Sequence, residues 1–528
     1  MTPRPIIVKM EVHMRPATLS CLNAIALSAT LLLPAYLTAE EHQHEAPPHR
    51  YKLIDLGTLG GPLTYGSSSG DGARLLSGSG EISSYSDTAL PDPFAPDRCF
   101  DTDCLLAHAF RWKDGRMIDL GGIDATYNSL GDSINDLGWV TGFAQTGVND
   151  PSFLFPLAHA VLWRNRKALD LGTLAGGSVS LGISVNNDGE VVGFSDNGVP
   201  DPFAAFFFPV DTQVRTFLWK RGALEDIGTL GGPSAVPGPG CNNQRPGVIV
   251  GSSYIDFTPN TSSGQPTIDP FLWDNGVITD LGNLGGTFNF GQCANNRGEV
   301  IGSSSLPGDQ FSHAFRWRNG RMKDLGTLGG PNSEAIWIND AGDIAGSADL
   351  PMPNIHDAVI WRHGHIKDLG SLPGDPCSRG RAINSRGLVV GGTSDCTNFL
   401  HAFVWEEGGP MRDLNKLIAP GSGLQITNAF NINDRGEILA KSLPVGTTPN
   451  DDEDLGHLVL LVPCENHDRA CRNHDRTEDV VATTNSTPVT TNAVARAQTP
   501  HPSTATNLAA TWRAKLAHRF GAPDSIKK

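Results

Sequence analysis

The sequence lacks an excess of positive charge, which removes one large class of partner at the outset. It carries 40 Lys and Arg residues against 56 Asp and Glu residues, and its net charge is −16. Proteins that bind the phosphates of nucleic acids need an excess of positive charge, so nucleic acid is not an expected partner. The acidic balance itself favours solubility.

The sequence also lacks the short motifs that mark common catalytic and metal sites. Its glycine-rich turns are not followed by the Lys-Ser/Thr pair of a phosphate-binding loop, and no zinc-protease helix motif occurs. No two cysteines have the two-residue spacing of a zinc site. We therefore predict no catalytic residue, no cofactor and no metal. An active site assembled from distant segments would leave no local motif, so an enzyme is unsupported rather than excluded.

The N-terminus predicts export. Arg4, Lys9 and Arg15 precede an apolar stretch, residues 17–37, that ends in the small residues Thr38 and Ala39. This order is typical of a secretory signal peptide spanning residues 1–39, with a linker at 40–50. A retained membrane anchor and a start at Met14 are the alternatives. No later segment resembles a membrane span, so we expect a secreted or periplasmic monomer.

The cysteines favour the same compartment. Apart from Cys21 in the signal segment, eight cysteines remain, an even number that predicts disulfides in an exported chain. Six fall into local pairs, and the remaining two precede matching positions in consecutive modules. The predicted pairs are Cys99–Cys104, Cys377–Cys396, Cys464–Cys471 and, between neighbouring modules, Cys241–Cys293.

One heptapeptide, D-L-G-T-L-G-G at Asp55–Gly61, recurs with small changes along the chain. It begins again at Asp119, Asp170, Asp226, Asp280, Asp324, Asp368 and, in decayed form, Asp413. The last three spacings are 44, 44 and 45 residues, and the earlier ones run from 51 to 64. A repeat of this length predicts a four-stranded β-propeller blade, and residues 51–463 form one repeat domain.

Each module contains four short apolar segments separated by Asp, Asn and Gly turns, which predicts an all-β antiparallel meander. In the third segment, alternation places His313, Phe315 and Trp317 on one face, predicted to pack on the next sheet. We expect the recurrent tryptophans to form a structural core ladder: Trp112, Trp163, Trp219, Trp273, Trp317, Trp361 and Trp405.

The H-A-F-x-W strand, the I-N-x-x-G-x-x-x-G hairpin and the D-L-G-T-L-G-G turn together resemble the HAF repeat family of exported bacterial proteins. The resemblance covers about Tyr51 to Pro463, and the hairpin spacing recurs at Ile134-Asn135, Ile338-Asn339 and Ile383-Asn384. It implies a secreted repeat protein with no established reaction. Modules one and four depart from the pattern, with Ser68-Ser69 and Gln244 where the Ile-Asn pair would fall.

The ends of the array predict how it closes. It begins with a lone fourth-type strand at residues 51–57 and ends with a third-type strand at residues 457–462 that lacks its fourth. Pairing the two would complete the last blade. We predict eight blades, with seven plus one divergent module as the alternative. Residues 464–507 are predicted to be disordered, apart from the small disulfide loop.

The end of the tail has a pattern of its own. Leu508, Trp512, Leu516 and Phe520 recur at four-residue spacing among Arg513, Lys515, His518 and Arg519. This spacing predicts a short amphipathic basic helix over 508–520, which is either an interaction or membrane-surface element or an inert tail. Residues 521–528 complete the tail.

In a propeller, the loops joining strand 2 to strand 3 and strand 4 to the next strand 1 emerge on one side, which we call the loop face. Insertions rich in Asp, Pro and Phe fall there, so it is the candidate binding face. The candidate binding residues are Asp201, Phe203, Phe206, Phe207, Phe208 and Phe257. The Phe206–Phe208 cluster has burial under the adjacent long loop as an alternative.

Other polar residues on this face have simpler explanations. Asp101-Thr102-Asp103 is the nearest approach to a calcium loop and lacks a continuation. The repeated Asp is expected to cap its turn. The repeated His at the start of strand 3 is expected to bond a neighbouring turn rather than bind metal.

These observations predict a secreted, non-catalytic propeller that acts as a recognition or scaffold module for an unknown protein or glycan. The alternative is a carbohydrate-binding or carbohydrate-active hydrolase or lyase that uses the insertion loops.

Overall fold

A computed structural model describes residues 50–464 apart from residues 67–70, 97–98, 102, 150–155, 242–244, 262 and 448–455. The predicted signal peptide, the Cys464–Cys471 loop, the predicted disordered segment and the predicted helix at 508–520 therefore lie wholly or partly outside the described residues. The described chain contains no helix with the length and hydrophobicity that a membrane crossing requires.

In the described part of the chain, thirty-two strands form eight four-stranded antiparallel sheets, the blades. Blade 1 holds β2 (Gly60–Thr64), β3 (Ile82–Pro91), β4 (Leu105–Lys113) and β5 (Arg116–Asp119), and blade 2 holds β6 (Ser129–Ile134), β7 (Val140–Gln145), β8 (Ala158–Arg164) and β9 (Lys167–Asp170). Blade 3 holds β10 (Ser180–Val185), β11 (Val191–Pro200), β12 (Thr212–Lys220) and β13 (Ala223–Asp226), and blade 4 holds β14 (Ala235–Pro237), β15 (Val248–Tyr254), β16 (Ile268–Asp274) and β17 (Val277–Asp280).

Blade 5 holds β18 (Asn289–Ala294), β19 (Val300–Ser305), β20 (Ser312–Arg318) and β21 (Arg321–Asp324), and blade 6 holds β22 (Ser333–Ile338), β23 (Ile344–Asp349), β24 (His356–Arg362) and β25 (His365–Asp368). Blade 7 holds β26 (Cys377–Ile383), β27 (Val389–Ser394), β28 (Phe399–Trp405) and β29 (Arg412–Asp413), and blade 8 holds β30 (Leu424–Ile432), β31 (Ile438–Pro444), β32 (His457–Pro463) and β1 (Tyr51–Asp55). The prediction of eight four-stranded blades is confirmed.

The first and last strands of the array pair with each other. β1 runs antiparallel to β32, with Tyr51 opposite Pro463 and Asp55 opposite Val459. The N-terminal strand is therefore the outer strand of blade 8, as predicted from the missing and spare strands at the two ends. This pairing leaves no incomplete blade at the seam.

The hairpin between strands 1 and 2 shows why the Ile-Asn and Gly positions recur. In blade 6 the Asn339 side chain accepts a hydrogen bond of 2.9 Å from the backbone N–H of Asp343, which fixes the turn. Gly342 has a φ of +86°, a conformation that side-chain-bearing residues rarely adopt. The Asn339 Nδ2 then donates to the carbonyl of Asn384 in blade 7 at 3.0 Å. One side chain thus shapes its own hairpin and joins two blades.

Modules one and four depart from this hairpin, though differently from the prediction. In module one the turn bonds join Ser77 to Glu81 and Gly80 to Ser77, so Leu76-Ser77 occupies the Ile-Asn position rather than Ser68-Ser69, which lies outside the described residues. A longer segment before the turn shifts the register. In blade 4, β14 is only three residues long, and Gln244 is not among the described residues.

The aromatic face of strand 3 packs on the preceding blade, not the next one as predicted. Trp273 of blade 4 lies in one core cluster with Leu218 and Ile227 of blade 3, and Phe315 of blade 5 lies with Val250 and Leu281 of blade 4. Strand alternation determines which side chains share a face. The direction in which the blades follow one another around the ring determines whether that face packs on the preceding or the next blade. Trp112, Trp163, Trp273, Trp361 and Trp405 are buried, whereas Trp219 and Trp317 are half-buried.

Three disulfides join the predicted partners among the described residues. Cys99–Cys104 pins the insertion of blade 1, and Cys377–Cys396 lies within blade 7. Cys241–Cys293 links the hairpin region of blade 4 to β18 of blade 5, which confirms a covalent bond between neighbouring blades.

Candidate functional site

The repeated turns on the loop face are held by their aspartates. The Asp119 carboxylate accepts a hydrogen bond of 2.7 Å from the backbone N–H of Gly121, two residues on. The same bond is made by Asp55, Asp170, Asp226, Asp280, Asp324 and Asp368. The repeated acid is thus a structural cap, as its repetition predicts.

Four of the five repeated histidines bond these aspartates, and the fifth, His401, bonds Asp375 in the preceding connection at 2.7 Å. His159 Nδ1 lies 3.0 Å from Asp170 and His313 Nδ1 lies 2.9 Å from Asp324, each joining strand 3 to the end of strand 4. The pair at the seam, His457 and Asp55, joins residues from opposite ends of the domain at 3.1 Å. This hydrogen bond lowers the pKa of the Asp55 carboxyl and raises the pKa of His457.

Blades 1 and 3 also have a pair at this outer position. His108 bonds Asp119 in blade 1, and an arginine, Arg215, bonds Asp226 in blade 3. In each of these pairs both side chains belong to one blade and are already bonded to each other. Among the described residues no three His, Cys, Asp or Glu side chains converge as ligands of a metal ion.

The Phe206–Phe208 cluster fills the centre of the loop face. The Phe206 ring stacks on Phe288 of blade 5 at 5.7 Å, and the Phe207 ring meets Tyr254 of blade 4 edge-on at 4.8 Å. Phe208 packs on Phe194 of blade 3 at 5.2 Å. All three Phe rings of the cluster are buried in one apolar group with residues of blades 1 to 5. The structure therefore places them in the core, which the sequence analysis left as the alternative.

The other candidate residues divide between support and surface. Asp201 is buried, where its carboxylate accepts from the Ser234 hydroxyl at 2.6 Å and from the Phe203 backbone N–H at 2.8 Å. Phe203 itself is half-buried. Phe257, by contrast, is 58% exposed. Of the six candidate binding residues, Phe257 is the one with a large exposed apolar side chain.

A second segment of blade 1 reaches across the axis of the ring. Asp71 forms ion pairs with Arg379, at 2.8 Å, and with Arg381, both on the inner strand of blade 7. Its carbonyl accepts a hydrogen bond of 2.6 Å from the Gln292 side chain of blade 5. Blade 1 thus contacts the far side of the ring through the axis. Together with the phenylalanine cluster, this segment places side chains of the protein itself between the inner strands of opposite blades.

One carboxyl near the blade 1 insertion has a strongly altered pKa. Burial, followed by the charge of Asp103, raises the pKa of Asp87 to about 7. The Tyr65 hydroxyl donates to Asp87 at 3.0 Å, and burial raises the Tyr65 pKa. The Tyr65 and Tyr85 rings stack at 4.5 Å. All three side chains are buried, so this group is internal rather than a surface for a ligand.

Large apolar side chains are exposed at the strand 2 to strand 3 connections of nearly every blade. From blade 1 to blade 6 and in blade 8, they are Leu90, Val148, Val199, Phe257, Phe311, Met352 and Val445. Blade 7 has the half-buried Phe399 at this place. Loops rich in Phe were expected on this side, but the regular recurrence was not. We call these residues the apolar ring.

Charge is divided between the two sides of the protein. In the described parts of the loop-face connections, Lys416 is the one Lys or Arg, whereas Asp92, Asp101, Asp103, Asp124, Asp201, Asp211, Asp256, Asp309, Asp375 and Asp395 are acidic. The opposite side, the turn face, is formed by the strand 1–2 and strand 3–4 turns. In or beside those turns it carries both basic residues, including Arg116, Arg164, Arg166, Lys167, Arg221, Arg321 and Arg386, and acidic residues, including Glu81, Asp136, Glu190, Glu299, Asp343 and Glu437, several of them in ion pairs with arginines. Asp92, Asp101, Asp201 and Asp375 are buried, so the acidic surface around the apolar ring is formed by Asp103, Asp124, Asp211, Asp256, Asp309 and Asp395.

Comparisons with known proteins find distant similarity to solved structures. No family model and no curated protein matches the chain. Among solved structures, the β-propeller domain of the Trilobed protease from Pyrococcus furiosus matches at 8% identity, covering 69% of this chain and 98% of that domain with a TM-score of 0.36. A PL25 ulvan lyase matches at 11% identity (70% and 99% covered, TM-score 0.32). A gluconolactonase from Xanthomonas campestris also matches at 11% identity (80% and 96% covered, TM-score 0.28).

Proposed function

We propose that this protein is an exported, non-catalytic β-propeller of the HAF repeat type, which recognises a partner through its loop face. The observation that carries the proposal is the apolar ring set in an acidic surface. Single exposed apolar residues are ordinary on any protein. Their recurrence at or beside the same connection in seven of the eight blades is better explained by a binding surface than by chance exposure.

The chemistry of the loop face favours a cationic partner with apolar side chains, such as a basic segment of another polypeptide. Aspartates around the ring attract positive charge and speed the encounter, while Phe257, Phe311 and Met352 supply area to bury. Fully burying such a side chain contributes about 1.5–3 kcal/mol before the entropic cost of binding. A few of them suffice for a moderate affinity.

The side chains that lie between the inner strands support a role in recognition rather than catalysis. Small-molecule sites are concave and converge on a few polar groups. Here the Phe206–Phe208 cluster occupies the centre of the loop face, and Asp71 is held by Arg379 and Arg381 further along the axis. A partner meeting this face would contact its loops rather than enter it. Export is supported by the predicted signal peptide and by the three disulfides.

The test is a binding titration with a fluorescent Lys/Leu amphipathic peptide of about 15 residues as the probe, the length of a short recognition helix. We expect binding that weakens as ionic strength rises and that falls at least five-fold in a Phe257→Ser/Met352→Ser variant. Val277→Ser is the matched control, because Val277 is 63% exposed on the turn face. Equal loss in both variants, or no binding by the wild type, would contradict the proposal.

A second assay tests the alternative that the partner is a carbohydrate. Thermal-shift measurements with neutral and acidic oligosaccharides would show a saturable rise in melting temperature if a sugar bound the fold. A rise that depends on Phe257 and is absent with the cationic peptide would replace the proposed partner class with a glycan.

A further inference from the structure

The chain itself contains a segment with the chemistry that the loop face fits. Residues 508–520, outside the described residues, place Leu508, Trp512, Leu516 and Phe520 at four-residue spacing among three Lys or Arg residues. We propose that this C-terminal segment docks on the loop face of the same molecule and holds the surface until a competing partner displaces it. The proposal rests on the proposed function of that face.

The docking surface is formed by three consecutive blades. Phe257, Phe311 and Met352 are the largest members of the apolar ring and come from blades 4, 5 and 6. Their exposed fractions are 58%, 43% and 56%. Apolar residues spaced by four along a helix form one stripe, which would face these three side chains.

The charges are complementary in the same place. Each of the three apolar residues has an aspartate close to it in sequence: Asp256 beside Phe257, Asp309 near Phe311 and Asp349, the last residue of β23, near Met352. In the segment, Arg513, Lys515 and Arg519 carry the opposite charge. The turn face mixes basic and acidic side chains, many of them paired with each other, and so attracts the segment less. Charge complementarity therefore favours the loop face, whose described connections hold aspartates and one lysine.

The tether is long enough for this return. β32 ends at Pro463 on the turn face of blade 8, so the segment must come back by about one strand, about 24 Å for its seven residues, and must also cross the ring to blades 4 to 6. Fully extended, the 44 residues from Cys464 to Leu508 reach at most about 150 Å, which covers both. Leu508 follows Cys464 by 44 residues, and a random chain of that length has a root-mean-square span of about 35 Å. A tether of this kind gives an effective concentration on the order of 1 mM. A segment with a dissociation constant of about 0.1 mM would then occupy the site about nine-tenths of the time.

The experiment measures competition between the tethered segment and the same sequence added in trans. A fluorescent peptide of residues 505–522 is titrated against the full-length wild type and a full-length Arg513→Glu/Lys515→Glu/Arg519→Glu variant. Removing the cis competitor should tighten binding of the trans peptide about ten-fold. In the triple-variant background, Phe257→Ser/Met352→Ser should abolish that gain, and Val277→Ser should not.

Hydrogen exchange gives an independent readout. In the wild type, residues 305–312 and 349–356 should exchange more slowly than in the triple variant, because the docked segment shields those connections. Equal exchange, together with equal peptide affinity for the two proteins, would overturn the proposal.

The outcomes separate this proposal from the one on which it rests. If a scrambled peptide of the same composition binds as tightly as residues 505–522, the loop face recognises cationic peptides in general and the docking of this segment is wrong. If neither peptide nor the Lys/Leu probe binds, both proposals fail.

Discussion

The Asn433 side chain in the last blade donates a hydrogen bond of 3.1 Å to the backbone carbonyl of Ser77 in the first. Asn135, Asn295, Asn339 and Asn384 make the same bond to the blade that follows each of them. The seam between the two ends of the array is thus joined by the bond used between ordinary neighbours, in addition to the pairing of β1 with β32.

Replacing Asn433 with Ala should destabilise the fold by about 1–3 kcal/mol, because a buried carbonyl would lose its donor and the hairpin N–H groups would lose their acceptor. Chemical denaturation measures this change. Asn398, whose amide bonds an exposed Asp395, is the control. A loss no larger than that of Asn398→Ala would show that the seam does not depend on this side chain.

The tryptophans of the core should differ in how much each contributes to the free energy of unfolding. Trp163 is 2% exposed, and its indole N–H donates to the Gly121 carbonyl of the preceding blade at 3.1 Å. Trp163→Ala should cost about 3–5 kcal/mol through the cavity and the lost bond. Trp317→Ala should cost less, since that ring is half-buried. Equal losses in urea unfolding would contradict packing as the cause.

The pKa of Asp87 makes stability depend on pH. Because its pKa is about 7 in the folded state and 3.8 in the reference state, the unfolded chain ionises first as pH rises. Stability should therefore fall between pH 4 and pH 7, by at most about 4 kcal/mol for this group. Asp87→Asn should match the wild type near pH 4 and exceed it at pH 8, with exposed Asp211→Asn as the control. A pH profile parallel to that of the wild type would show that Asp87 is not the titrating group.

The disulfide between blades should stabilise the fold more than the disulfide within the blade 1 insertion. Cys241–Cys293 closes a loop with a sequence separation of 52, against 5 for Cys99–Cys104. Chain entropy predicts that replacing the first pair with Ser costs about 4 kcal/mol and the second about 2 kcal/mol. The two double variants are compared by thermal unfolding. The reverse order would show that strain or local packing outweighs chain entropy.

Much of the fold could be predicted because the same pattern of strands and turns recurs in every module. The strand order, the blade count and the pairing of β1 with β32 follow from counting segments, and the His–Asp bonds follow from their recurrence. Ser77 was missed because module one has a Ser where the other hairpins have Asn, and its extra residues shift the position.

The site was harder to predict because burial depends on contacts between distant blades. Phe206, Phe207 and Phe208 have the same sequence pattern whether a loop presents them or folds them inward, and only Phe194, Tyr254 and Phe288 decide the matter. Leu90 and Met352 are unremarkable in sequence. Their significance comes from recurring at one place around the ring.

The central claim, recognition through the loop face, is tested most directly by hydrogen exchange of the full chain with and without the Lys/Leu peptide. The account predicts slower exchange in the strand 2 to strand 3 connections that hold Phe257, Phe311 and Met352, and unchanged exchange in the turns around Asn339 and Asn384. Protection confined to those turns would contradict it.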